Sequence, residues 1–215
     1  MPPLSIVKTL SYLQEEQKAG RQYLEVAGLR LLRGSIAEFT GPQSSGKTSL
    51  ALAILAHMTM DGEICSIIDL NNSFDPESAR LSGAVFSNVL WIRCGGNIEN
   101  AFTAADFLLQ ANGFGLVWLN FFGVQNGELR KVPRSYWYRF RVKIRDTKTI
   151  LIVTNEQSVA GSAAESRFYA DPYRVSWKGA GRFKLIKELQ LNLNGQKECV
   201  FRPEFVGIKA DYINE

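Results

Sequence analysis

Residues Gly41 to Ser49 read GPQSSGKTS and satisfy the pattern G-x-x-x-x-G-K-[ST] through Gly41, Gly46, Lys47 and Thr48. An apolar run, Ser35 to Thr40, precedes the pattern, and a helix-forming run follows it. In that setting the glycines let the chain curl so that successive backbone N–H groups, from Ser44 and Ser45 through Gly46, Lys47, Thr48 and Ser49, face phosphate oxygens. The N-terminus of the following helix adds partial positive charge. Lys47 is placed to reach the β- and γ-phosphates and Thr48 to ligate Mg²⁺, so the expected cofactors are ATP or ADP with Mg²⁺.

A second constellation is basic and aromatic. Between Gln125 and Lys148 eight basic residues face two acidic ones, and Tyr136, Trp137, Tyr138 and Phe140 are interleaved with them. Cations track a phosphate backbone and aromatic faces stack on exposed bases, which suits single-stranded nucleic acid. The residues singled out for that contact are Arg130, Lys131, Arg134, Trp137, Arg139, Arg141, Lys143 and Arg145. Two other readings stay open: an acidic protein partner, or a solvated face. Tyr138, Phe140, Val142 and Ile144 alternate as a half-buried strand would, while Trp137, Phe140 and Ile144 fit one helix stripe. A helix is favoured, because a crossover must join the parallel strands on either side. A weaker basic stretch holds Arg167, Arg174, Lys178, Arg182 and Lys184 behind Gly161-Ser162-Ala163-Ala164.

The elements that would position these residues alternate along the chain. Of 215 residues, 46% are hydrophobic and 21% charged, enough for one core that needs no metal or disulfide. Cys65, Cys94 and Cys199 lack zinc-ligand spacing, and His57 sits among apolar neighbours as a core histidine would. No run approaches a membrane span and no secretory signal opens the chain, so a cytoplasmic protein is expected. Strands are predicted at Ser35–Thr40, Ile64–Leu70, Val89–Cys94, Leu116–Phe122 and Thr149–Thr154. Helices are predicted at Lys47–Met60, Asp75–Leu81 and Ile98–Gln110. This is the order of an α/β fold with a mostly parallel sheet. From Phe183 the pattern alternates around Asn194-Gly195 and on to Cys199–Phe201, predicting a closing antiparallel hairpin. Residues 1–30 are read as a partly helical lead and 31–215 as the nucleotide-binding core.

The stretch RGSIAEFTGPQSSGKTSLALAIL resembles the phosphate loop of the RecA family, in which a strand ending in Glu runs into G-P-x-S-S-G-K-T. CSIIDLNNSFDPESARLSG is similar to the segment that follows in that family, and ILIVTNEQ and ESRFYADPYRV resemble it more loosely. Together they cover about residues 33 to 177. The resemblance implies a RecA-like P-loop core. It also implies a glutamate where Asn71 stands, an aspartate orienting Mg²⁺ where Asn120 stands, a γ-phosphate sensor at Glu156 or Gln157, and a tyrosine on the base where Ser78 stands. Asp75 matches an aspartate near the adenine and also suits a helix cap.

Asn71 cannot accept a proton and Asn120 brings no charge to a cation, so nucleotide binding with slow or absent hydrolysis is expected. The leading expectation is a RecA-family paralog in bacterial DNA repair and the DNA-damage response. It would act as an accessory scaffold similar to the ImuA-type proteins beside translesion polymerases, meeting repair polymerases or recombinases. One alternative is a working DNA-dependent ATPase recombinase on single-stranded DNA; another is an interaction module with a relic phosphate loop. The short lead before Gly34 predicts a monomer or small oligomer.

Overall fold

The computed structural model describes residues 22–124, 126–178, 185–195 and 205–209. It opens with a hairpin, β1 (Tyr23–Val26) and β2 (Leu29–Leu32), closed by Ala27 and Gly28 at φ 50° and 78°. Two successive left-handed residues match the right-handed twist of paired strands. Leu24, Val26, Leu29 and Leu31 enter the core, so the boundary expected at residue 30 falls inside β2. The helix expected before Gly20 lies outside the described residues.

Next come β3 (Ser35–Thr40), α1 (Lys47–Met60), β4 (Cys65–Asp69), α2 (Pro76–Leu81), β5 (Val89–Arg93), α3 (Ile98–Ala111) and β6 (Leu116–Asn120). They are followed by α4 (Asn126–Leu129), α5 (Arg134–Ile144), β7 (Ile150–Thr154), β8 (Ser166–Lys178), β9 (Leu185–Gly195) and β10 (Phe205–Lys209). Each strand and helix expected between Ser35 and Phe122 forms within two residues of its predicted ends.

One sheet runs in the order β10-β9-β8-β3-β7-β6-β4-β5. From β8 to β5 every pairing is parallel, and β9 and β10 add antiparallel strands beyond β8. The expected second hairpin arm at Cys199–Phe201 lies outside the described residues; β9 pairs instead with β8 and with β10, four residues farther on.

β4, β6 and β7 are buried at every residue, as strands covered by helices on both faces must be. Their side chains alternate between two cores. Ala37, Phe39, Ile67, Trp118 and Ile152 meet α1 and the hairpin, while Ile36, Ile68, Val117, Leu119 and Val153 meet α3 and α5. Because α1 is buried almost all round, with Leu50, Ala51, Ile54, Leu55 and Met58 sealed, the chain leaving Thr40 must enter it through a tight loop at the end of the sheet. No helix among the described residues is long and apolar enough to cross a membrane.

Candidate functional site

Between β3 and α1 the chain takes three left-handed steps, at Gly41 (φ 147°), Ser44 (φ 60°) and Gly46 (φ 87°). A side chain at Gly41 would strike the Ala170 carbonyl oxygen and the Ser45 hydroxyl, so only glycine fits there. Gly41 N–H donates to the Glu156 carbonyl at 3.2 Å and Ser45 N–H to the Pro42 carbonyl at 3.2 Å. The Ser45 hydroxyl is sealed inside this curl with no hydrogen-bond partner among the described residues.

Lys47 is the first residue of α1 and only 3% exposed. Its Nζ donates to the carbonyls of Gly41 (3.0 Å) and Pro42 (2.8 Å), folding the ammonium across the loop. Burial holds its pKa below the ordinary lysine value, an effect the Glu156 carboxylate partly opposes. A phosphate here would exchange two carbonyl acceptors for charged oxygens, a stronger pairing. Thr48 and Ser49 are half-buried on the first turn of α1 and Ser44 is exposed, so the predicted cradle residues come together in one loop.

The flanking strand ends carry a hydrogen-bonded chain that sequence reading did not foresee. Asp69, Asn120 and Thr154 stand in register across β4, β6 and β7. Asp69 is fully buried; its Oδ1 accepts from Ser73 N–H (3.0 Å) and Ser73 Oγ (3.2 Å), and its Oδ2 from Phe74 N–H (2.9 Å). Asn120 donates from Nδ2 to Ser73 Oγ (2.9 Å) and accepts at Oδ1 from Thr154 Oγ1 (3.1 Å) and Phe122 N–H (3.3 Å). Trp118 Nε1 completes the chain by donating to Thr154 Oγ1 (2.9 Å). Asn71 is exposed and donates to the Phe122 carbonyl at 3.1 Å, so both asparagines brace the loops after β4 and β6.

For Mg²⁺, which the resemblance implies, the chain offers the Thr48 hydroxyl, half-buried on the first turn of α1; the Asp69 carboxylate is hydrogen-bonded to Ser73 and Phe74, and at the neighbouring strand end the neutral amide of Asn120 stands where a carboxylate is implied. No group of three His, Cys, Asp or Glu side chains gathers among the described residues. Asp75 caps α2, accepting from the backbone of Glu77 and Ser78 and from Ser78 Oγ; those bonds hold its carboxyl below the usual range.

Glu38, buried in β3, reaches the loop after β7, where Oε1 accepts from Val159 N–H (2.5 Å) and Ala160 N–H (2.9 Å) and Oε2 from Ser158 Oγ (2.6 Å). Its partners lie about 120 positions away along the chain, so no single segment of the sequence points to them.

The basic stretch forms α5, and its geometry corrects one assignment. Trp137 is 2% exposed and packs edge-on against Phe102 (5.0 Å) and Phe121 (6.4 Å), with Phe140 and Ile144 buried alongside. Spacing of three and four residues sends all three into the core, so Trp137 is not available to stack on a base. Several cations are already paired: Arg139 (3.0 Å) and Lys143 (2.9 Å) with Asp106, and Arg141 with Glu165 (3.4 Å). Arg145 is exposed near Asp146 at 3.9 Å. Arg130, Lys131 and Arg134 are exposed at the start of the stretch. Arg130 and Arg134 line a cavity of about 630 Å³ together with Tyr138, Ser158, Gly161 and Ser162. Arg130 donates to Gln157 Oε1 at 3.0 Å, and the Tyr138 and Ser162 hydroxyls bond at 2.5 Å, so α5 and the loop after β7 form one wall. Of the second basic stretch, Arg167 is half-buried on β8, Arg174 and Lys178 lie farther along that strand, and Arg182 and Lys184 lie outside the described residues.

Comparison with known proteins agrees with this geometry. The family model for the RecA N-terminal domain matches residues 16–123. Protein RecA of Cutibacterium acnes is 40% identical over 94 residues, covering 44% of this chain and 26% of that protein, and Protein RecA of Chlorobium limicola is 40% identical over the same length. Protein RecA of Borrelia duttonii is 38% identical over 85 residues, covering 40% of this chain and 23% of the relative. The chain thus spans about a quarter of the length of the curated relatives it matches. With a family match over half its residues, carried on a P-loop between a buried strand and helix, the chain belongs to the RecA family.

Proposed function

We propose that this chain is a nucleotide-responsive accessory protein of bacterial DNA repair, of the ImuA type, which grips a nucleoside di- or triphosphate at Gly41–Ser49 and hydrolyses it slowly or not at all. The observation that carries this reading is Asn120. Where hydrolysis needs a free carboxylate, Asn120 is a buried amide committed to Ser73, Thr154 and the Phe122 backbone. Asn71 cannot serve as a base, and losing a positioned base costs about 10²- to 10⁴-fold in rate. The sealed Ser45 hydroxyl and the folded-in Lys47 support binding itself.

The accessory role draws on Arg130 and Arg134, which line the cavity beside the loop after β7, and on exposed Lys131 next to them, where phosphates of single-stranded DNA would meet cations that no carboxylate holds among the described residues. Trp137 takes no part in that contact.

Two measurements test the reading. Excess ATP or ADP is expected to raise the melting temperature, since a ligand at 100 times its Kd adds about 2.7 kcal/mol, and Lys47→Ala is expected to remove the shift. Phosphate release with single-stranded DNA, alongside DNA binding at two salt concentrations, is expected to show little turnover and affinity falling with salt. Brisk DNA-stimulated turnover would favour a working recombinase ATPase, and no nucleotide shift would favour a relic loop.

A further inference from the structure

The cavity between α5 and the loop after β7 is bridged at both ends by bonds between its two walls. At one end Arg130 donates to Gln157 Oε1 (3.0 Å). At the other the Tyr138 and Ser162 hydroxyls bond each other, and Arg141 Nη1 donates to the Ser162 carbonyl (3.3 Å). Between the bridges lie about 630 Å³, with Arg134 on one wall and Ser158 to Gly161 on the other. Leu129 and Ala160, which also line the space, are buried in the core and form its floor. A volume of this size takes one small ligand or a single nucleotide unit. A strand running through it would have to break one of the bridges, whereas a strand that ends in it breaks neither.

Charge sorts the occupants further. Arg130 and Arg134 are the ionised groups on the lining, and no carboxylate stands among them. Glu38, on β3 behind the loop wall, has Oε1 committed to the Val159 and Ala160 N–H groups and Oε2 to Ser158 Oγ. Two guanidiniums match a phosphate monoester, which carries about −1.5 to −2 at neutral pH and suits their paired N–H donors. An internal phosphodiester brings a single charge and leaves half of that supply unmatched. Val132 and Val159, on the same lining, offer apolar surface to the sugar and base next to the phosphate.

We infer that this cavity seats the phosphorylated end of a single strand, with the terminal phosphate monoester on Arg130 and Arg134 and its nucleoside against Val132 and Val159. The inference rests on the reading of this face as a contact for single-stranded DNA, and it moves that contact from the length of a strand to its end.

Fluorescence anisotropy on the whole chain tests it, with deoxythymidine oligomers of about twelve nucleotides phosphorylated at the 5′ end, at the 3′ end or at neither, in excess ADP and Mg²⁺ to fill the phosphate loop. At least one phosphorylated oligomer is expected to bind about tenfold more tightly than the hydroxyl-ended one, the size of one added charge facing two cations in partly screened surroundings. Arg134→Ala and Arg130→Ala, each checked by its melting temperature for folding, are expected to cut that advantage to less than about threefold. Equal binding of the three oligomers, or an advantage unmoved in folded Arg134→Ala, overturns the inference while leaving DNA contact in place. Thymidine 5′-monophosphate that displaces the phosphorylated oligomer at equal concentration makes a free mononucleotide the occupant and overturns the strand-end assignment. No binding of any oligomer overturns both the inference and the DNA contact it rests on.

Discussion

Asp69 and Asn120 stand opposite each other on neighbouring parallel strands and are joined by the hydroxyl of Ser73, which donates to Asp69 and accepts from Asn120. One charge and one amide share a single hydroxyl in a fully buried row. The arrangement needs the amide, since only Asn120 Nδ2 can donate to Ser73 while its Oδ1 accepts from Thr154.

Asn120→Asp is therefore expected to destabilise the fold rather than restore a metal site. It places a second carboxylate beside Asp69 and removes the donor to Ser73, a loss of about 3 kcal/mol. Urea unfolding of Asn120→Asp against wild type measures it, and a variant as stable as wild type would contradict the hydrogen-bond assignment.

Trp137 and Arg134 should separate structure from recognition. Trp137→Ala empties the aromatic cluster around Phe102 and is expected to cost about 3–5 kcal/mol in chemical unfolding. Arg134→Ala is expected to leave stability within about 0.5 kcal/mol of wild type while lowering the slope of log affinity against log salt for single-stranded DNA by about one.

Gly41→Ala should disable the loop without touching its chemistry. The added methyl group meets the Ala170 carbonyl and the Ser45 hydroxyl at a left-handed backbone position. Loss of the nucleotide-dependent melting shift is the expected result, with a lower melting temperature in the absence of nucleotide.

Cys65 gives a pH signature. Burial, with Glu63 nearby, pushes its thiol up from about 9 to about 12. A group whose pKa is raised on folding contributes stability that is complete below its unfolded value and lost as pH rises toward the folded one. The window is thus about pH 9 to 12. In a chain carrying Cys94→Ser and Cys199→Ser, the remaining thiol is expected to resist a disulfide reagent at pH 8 until urea unfolds the protein. Cys65→Ala should flatten the stability profile above pH 9.

The parallel core was legible because β4, β6 and β7 are buried on both faces, and so are written in predominantly apolar residues, with polar ones such as Asp69, Asn120 and Thr154 kept to their ends. The phosphate loop was legible because its spacing is local. α5 was decided by topology, since its residues satisfy a period of two and of 3.6 alike; Trp137, grouped with the cations for nucleic-acid contact, belongs instead to the helix stripe it shares with Phe140 and Ile144. The first hairpin turns on Ala27 at φ 50°, a residue type that gives no turn signal. The Trp118–Thr154–Asn120–Ser73 chain links residues up to 47 positions apart, and nothing in any one segment reports it.

Glu38 lies three residues before Gly41 on the strand that delivers the phosphate loop, and its carboxylate, sealed from solvent, clasps Ser158, Val159 and Ala160. Lifting that segment would strand a bare anion in a dry interior, a far greater cost than thermal agitation supplies. The loop after β7 and the phosphate loop are thus tied to the same strand, β3, through one buried carboxylate.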